Sequence, residues 1–132
     1  MHAQAGTFVK LSSCWLLAAA LACGGGGASD SSEISPQVLL DIAGQANGPL
    51  VLDVRSAEEF ASGHVPAAIN VSHEQVAARI GELDPAREVV VYCERGTRAA
   101  KAAEVLRSAG FAVRHLTGDM SGWREQELPV QR

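Results

Sequence analysis

The sequence predicts an α/β domain built on a parallel sheet with helices on both faces. Three observations lead there. Leu50–Val54 and Val89–Tyr92 are short, nearly continuous apolar runs, as in strands whose two faces are both covered. Segments with apolar residues at helical spacing lie between such runs, the alternation that builds parallel sheets. Capping and turn signals punctuate the joins.

In chain order, Ser35-Pro36 pairs an N-cap residue with the proline favoured at the first helical position, and opens a short helix through about Ala43. Asn47-Gly48-Pro49 is a turn before the strand Leu50–Val54. Ser56-Ala57-Glu58-Glu59 is a capping-box pattern for a short helix ending near Gly63, and Ile69-Asn70-Val71 is a brief strand. Ser72-His73-Glu74-Gln75 repeats the capping-box pattern before a helix with Val76, Ile80 and Leu83 on one face, stopped by Asp84-Pro85. After the strand Val89–Tyr92, a helix runs from about Thr97 to Ala109. It carries Ala99, Ala102, Ala103 and Leu106 at core spacing, and Gly110 is its stop. Phe111–Leu116 is the last strand, and Gly118–Trp123 a helical turn.

The amino-terminal residues have a different composition. Residues 1–29 contain no acid and a single Lys, Lys10, whereas all 15 acids fall from Asp30 onward. The apolar run Leu11–Ala22 is shorter than the ~20 residues a permanent membrane span needs. A basic start, a short apolar core and small residues at its end describe an export signal. Ala20-Leu21-Ala22-Cys23 resembles a bacterial lipobox, in which the Cys becomes the lipidated first residue. The match departs from the usual pattern at Ala20, where Leu is common. The division expected is therefore a lipoprotein-type signal peptide at 1–22, a Gly/Ser-rich tether at 23–33 and a folded domain at 34–132. Cys23 would anchor that domain to a membrane of the bacterial cell envelope, facing the periplasm or the exterior.

Cutting before Cys23 leaves 110 residues with 10 bases and 15 acids, enough chain for a hydrophobic core. The acidic balance argues against nucleic acid as a partner. Of the three cysteines, Cys14, Cys23 and Cys93, only Cys93 lies in the domain, so no disulfide framework holds it.

The chemistry concentrates in Cys93-Glu94-Arg95-Gly96-Thr97-Arg98, between a buried strand and the start of a helix. Sites in open parallel sheets form at the carboxyl ends of strands. A loop there turns successive N–H groups toward one centre beside the positive end of the helix dipole. Gly96 lets the backbone curl, and Arg95 and Arg98 add positive charge. A thiol cradled this way favours its nucleophilic thiolate. An isolated Cys after a Val-rich strand is otherwise a small buried hydrophobe.

Cys93-x-x-Gly96-x-Arg98 resembles the six-residue active-site loop of rhodaneses, sulfurtransferases that carry sulfur as a cysteine persulfide. Gly63-His64-Val65-Pro66-Ala67-Ala68-Ile69-Asn70 is similar to the family's G-H-I-P-G-A-I-N signature, and Gly118-Asp119-Met120-Ser121-Gly122-Trp123 to its closing G-G-x-x-x-W. Asp53-Val54-Arg55 followed by Glu58-Glu59-Phe60 also fits, and the likeness runs from about Ile34 to Trp123. It implies Cys93 as nucleophile, with Glu94, Arg95, Gly96, Thr97 and Arg98 forming the substrate-binding loop. Arg98 and the loop amides would hold the anionic persulfide. The partners implied are a small-molecule sulfur donor and a cyanide or thiol acceptor, with no metal or organic cofactor needed. A single compact domain on a tether makes a monomer the default expectation.

Three departures matter. Glu94 stands where many rhodaneses have Arg, and a carboxylate beside the thiolate repels anionic donors such as thiosulfate. Ala67 and Asp119 replace glycines, as expected where the backbone geometry tolerates a side chain. Among other polar residues, His64 is expected to bond backbone or a carboxylate, and Asp53 to hold neighbouring N–H groups or Arg55. His73 and His115 show no ligand partner at metal spacing, and Arg114 and Arg124 read as surface charges.

Three function classes follow. The first is a sulfurtransferase working by double displacement. A Cys-and-Arg phosphatase or arsenate reductase is the second, but those loops place five residues between Cys and Arg, against four here. The third is a rhodanese-like module that binds or senses sulfur without turnover.

Overall fold

The computed structural model describes residues 32–132, so the apolar run 11–22, Cys23 and nearly all of the expected tether lie outside the described residues. The strands are β1 (Glu33–Ile34), β2 (Leu50–Asp53), β3 (Ile69–Asn70), β4 (Val89–Tyr92) and β5 (Val113–Leu116). Between and after them lie α1 (Pro36–Ile42), α2 (Ala57–Ser62), α3 (Val76–Arg79), α4 (Thr97–Ser108) and α5 (Asp119–Glu125). The strands form one parallel sheet in the order β1-β5-β4-β2-β3. The predicted α/β class is the one observed.

The sheet divides two apolar layers, because successive side chains of a strand point to opposite faces. Leu52, Val89 and Val91 face Val76 of α3 and Ala99, Ala102, Ala103 and Leu106 of α4. Val51, Val90 and Tyr92 face Leu39 of α1 and Met120 and Trp123 of α5, with Phe60 of α2 at the margin. No helix among the described residues is long and apolar enough to cross a membrane.

Most expected boundaries hold, and the exceptions have local causes. The Ser35 side chain accepts the Val38 N–H, with Pro36 in the first turn of α1. Gly110 terminates α4 at φ 93°, with Phe111 N–H bonding to Leu106 O and Gly110 N–H to Arg107 O. These two bonds are a Schellman closure. They hold Phe111 out of the sheet, so β5 starts at Val113. The second capping box does not form: Gln75 N–H bonds to Ser72 O in a turn, α3 starts only at Val76, and Ile80–Glu82 tightens into a 3₁₀ turn. Strand β1 has no periodic signal of its own and exists through its pairing of Glu33 and Ile34 with His115 and Leu116.

The first capping box is half realised. Ser56 Oγ accepts the Glu59 N–H at 3.2 Å, while the Glu59 carboxylate turns away to Arg98. Ser56→Ala is expected to destabilise the domain by about 1 kcal/mol. A urea unfolding midpoint equal to that of the native chain would contradict this role of the cap.

Candidate active site

Strands β2 and β4 are neighbours, but the chain leaves β2 toward β3 on one side and β4 toward β5 on the other. Such a switch point opens a crevice beyond the carboxyl ends of the strands. Cys93 follows β4 directly into this crevice, and α4 begins four residues later at Thr97. Cys93 is 2% exposed. Gly96 adopts φ 111° and ψ −21°, which turns its N–H back on the loop to donate to Cys93 Sγ at 3.0 Å. The sulfur thus sits at the amino-terminal end of a 12-residue helix, where the field favours an anion.

The loop is pinned from below by α5. Met120 N–H donates to Cys93 O, Ser121 N–H to Glu94 O, and Asp119 Oδ1 accepts the Cys93 N–H at 3.0 Å. His115 Nε2 lies 2.9 Å from the same Asp119 oxygen. His115, in β5, is thus paired with Asp119, four residues on at the start of α5. Asp119 and Ala67 keep the left-handed backbone of the glycines they replace, at φ 53° and 65°.

A buried ion pair supports the other side. Arg55, fully buried, donates from Nε to Asp53 Oδ1 at 3.0 Å and from Nη2 to Asp53 Oδ2 at 2.7 Å and Gly63 O at 2.8 Å. Tyr92 Oη donates to Asp53 Oδ2 at 2.7 Å and accepts the Val65 N–H. Asn70 ties the end of β2 by donating to Asp53 O and Arg55 O. Burial works against the charge on Arg55, but the hydrogen bond and charge of Asp53 outweigh it and raise the guanidinium's pKa. Burial, reinforced by the Asp53 charge, pushes the Tyr92 hydroxyl far above its usual range, so it remains a donor. Asp53 holds Arg55 as expected.

Arg55 Nη1 also reaches Glu94 Oε2 at 3.4 Å, and Arg124 binds Glu94 Oε1. The reading of Arg124 as a plain surface charge is corrected, and so is the picture of Glu94 as a bare anion beside the thiolate. Two guanidinium groups offset its charge. Arg114 likewise pairs with Glu88. Arg98, expected to hold the persulfide, is engaged in a two-pronged pair with Glu59 at 2.8 and 2.9 Å. Its pKa is raised first by the Glu59 hydrogen bond, with a further contribution from the charge of Cys93, so it also lies within the field of the sulfur. Arg95 and Thr97 are exposed. His64 stacks on Phe60 at 3.6 Å and bonds through Nδ1 to Phe60 O, as a structural histidine.

Asp119, His115, Arg55, Glu59 and Arg124 also surround the loop, outside the expected set of site residues. Asp119 left one trace, as a side chain in place of a motif glycine. The others meet the loop through contacts between distant segments.

The rhodanese-like domain family matches residues 35–126. The HTH-type transcriptional regulator Rv0324 of Mycobacterium tuberculosis is 39% identical over 89 residues, which cover 65% of this chain and 39% of that protein. This chain thus spans well under half of that regulator. Thiosulfate sulfurtransferase GlpE of Shewanella oneidensis is 35% identical over 82 residues, covering 61% of this chain and 81% of that protein. Among solved structures, a full-length protein from Lactobacillus plantarum superposes with a TM-score of 0.69 at 37% identity, covering 76% of this chain and 88% of its own. The family match takes in the Cys93 loop and both motifs that flank it, and this chain belongs to the rhodanese-like domain family, with a sulfurtransferase-family role.

Proposed function

We propose that the domain moves a sulfane sulfur from a donor such as thiosulfate to cyanide or a thiol through a persulfide on Cys93. The observation that carries this reading is the position of Cys93 Sγ, at the start of α4 and 3.0 Å from the Gly96 amide nitrogen. In the first step the Cys93 thiolate attacks the outer sulfur of thiosulfate. The donor S–S bond breaks, sulfite leaves with its electron pair, and Cys93 carries the transferred sulfur as a terminal anion. In the second step the acceptor attacks that terminal sulfur, the new S–S bond breaks, and the Cys93 thiolate returns. No external oxidant or reductant enters.

The Gly96 N–H and the dipole of α4 favour the anionic sulfur in both covalent states. Arg98, oriented by Glu59, contributes charge from the helix side. The pairing of Glu94 with Arg55 and Arg124 offsets its repulsion toward an anionic donor.

A steady-state assay of thiosulfate and cyanide tests the reading. Cys93→Ser is expected to lower turnover about 10³-fold or more. Equal turnover in the variant would contradict it. A second reading, a module that holds sulfur without turnover, draws on the near-complete burial of Cys93 and on the likeness to part of a transcriptional regulator. It predicts uptake of one sulfur and no multiple turnover.

We also propose that Cys23 is acylated and tethers a monomeric domain to a membrane of the cell envelope. Incorporation of radiolabelled palmitate into the native chain but not into Cys23→Ser is the expected result.

A further inference from the structure

The Cys93 loop rests on a carboxylate that the sulfur-transfer steps leave without a part. Asp119 is 5% exposed, and an ionised group so buried needs partners. Its Oδ1 has two, the Cys93 N–H at 3.0 Å and His115 Nε2 at 2.9 Å. Its Oδ2 lies under Gly96, where an added Cβ would come within 3.0 Å of it. Asp119 therefore touches both ends of the sulfur cradle, the amide of Cys93 and the residue whose N–H reaches Sγ. It does so from φ 53°, the left-handed region where glycine is the usual residue.

We infer that His115 and Asp119 are a positioning pair for the sulfur-binding loop: Asp119 Oδ1 holds the Cys93 amide, and the His115 imidazolium offsets the carboxylate's charge beneath the anionic sulfur. The second half of this inference rests on the proposed sulfur transfer. The first half stands on the geometry alone.

The groups facing His115 favour its charged form. Asp119 of α5 and Glu33 of β1, its partner in the strand register, stabilise the imidazolium, while Arg107 of α4 and burial oppose it. The Asp119 hydrogen bond is the largest influence, and the pKa rises above the ordinary 6.5. A raised folded-state pKa means that the pair's contribution is complete below the unfolded value and is lost as pH climbs through the folded one. Support for an anionic donor fades over the same interval.

The test uses the full chain, ¹⁵N-labelled, with the Cys93 amide and the His115 ring followed by NMR from about pH 5 to about pH 9. The Cys93 amide shift is expected to titrate with the midpoint of the His115 ring, above 6.5. His115→Gln is expected to abolish that titration. Asp119→Asn, whose side-chain oxygen still accepts the Cys93 N–H, is expected to lower the ring midpoint, because the hydrogen bond and charge that raise it are lost. In the thiosulfate assay, His115→Gln is expected to lower kcat/KM about three- to tenfold at the acid end, with the deficit shrinking as pH rises. A Cys93 amide that ignores the His115 midpoint, or a ring midpoint unchanged in Asp119→Asn, overturns the pairing. A deficit that stays constant with pH overturns the charge role and leaves His115 merely structural. Absence of thiosulfate turnover in the native chain counts against the proposed reaction alone, because the amide titration decides the pairing without it.

Discussion

Arg55→Met is expected to destabilise the domain by about 3–5 kcal/mol, the range for removing one partner of a buried ion pair. The variant leaves the Asp53 carboxylate, fully buried, with the Tyr92 hydroxyl and the residue-55 backbone N–H but no counter-charge. Gly63 O loses its donor, and Glu94 keeps only Arg124. The double variant Asp53→Asn/Arg55→Met removes the stranded charge and is expected to recover part of the loss, since the cost is that of an unpaired ion rather than of a missing contact. Urea unfolding of both variants measures this. A midpoint for Arg55→Met within the error of the native chain, or a double variant weaker than the single by the full additive amount, would contradict the account of this network.

Gly96→Ala is expected to lower kcat/KM for sulfur transfer about 10²-fold, the effect of losing one aligned donor to a developing anion. At φ 111° a side chain is strained, and the new Cβ would meet Asp119 Oδ2 at 3.0 Å and His115 Cε1 at 3.6 Å. Relief requires the loop to lift away from α5, which carries the Gly96 N–H off Cys93 Sγ. The stability cost is smaller, about 1–2 kcal/mol. Native activity in Gly96→Ala would show that this amide does not hold the sulfur. Large destabilisation with kcat/KM unchanged in the folded fraction would place the residue's role in folding alone.

The features legible in the sequence are those written over a few adjacent residues. Apolar runs place β2 and β4, Ser35-Pro36 starts α1, Ser56 caps α2, and Gly110 ends α4. The Cys93 loop is equally local, because a strand end, a glycine and a helix start suffice to build its cradle. Strand β3 is legible as the short Ile69-Asn70 segment, whereas the two-residue β1 is fixed by its neighbour in the sheet and carries no period of its own. The second capping box fails because Ser72 and Gln75 close a turn before the helix can start.

What surrounds the sulfur is less legible for the same reason. Asp119 meets Cys93 across 26 residues, Arg98 meets Glu59 across 39, and Arg124 meets Glu94 across 30. Only the fold brings such pairs together. The consequence for Glu94 is large. Read locally it is an anion beside a thiolate, and read in the structure it is the acceptor of two arginines.

The proposed role of Cys93 as sulfur carrier is open to intact-mass analysis of the full chain with peptide mapping. Thiosulfate is expected to add the mass of one sulfur atom to Cys93, and cyanide to remove it with release of thiocyanate. Cys93→Ser is expected to gain nothing. A native chain that takes up no sulfur at Cys93, or a Cys93→Ser chain that takes up as much through Cys14 or Cys23, would contradict the claim.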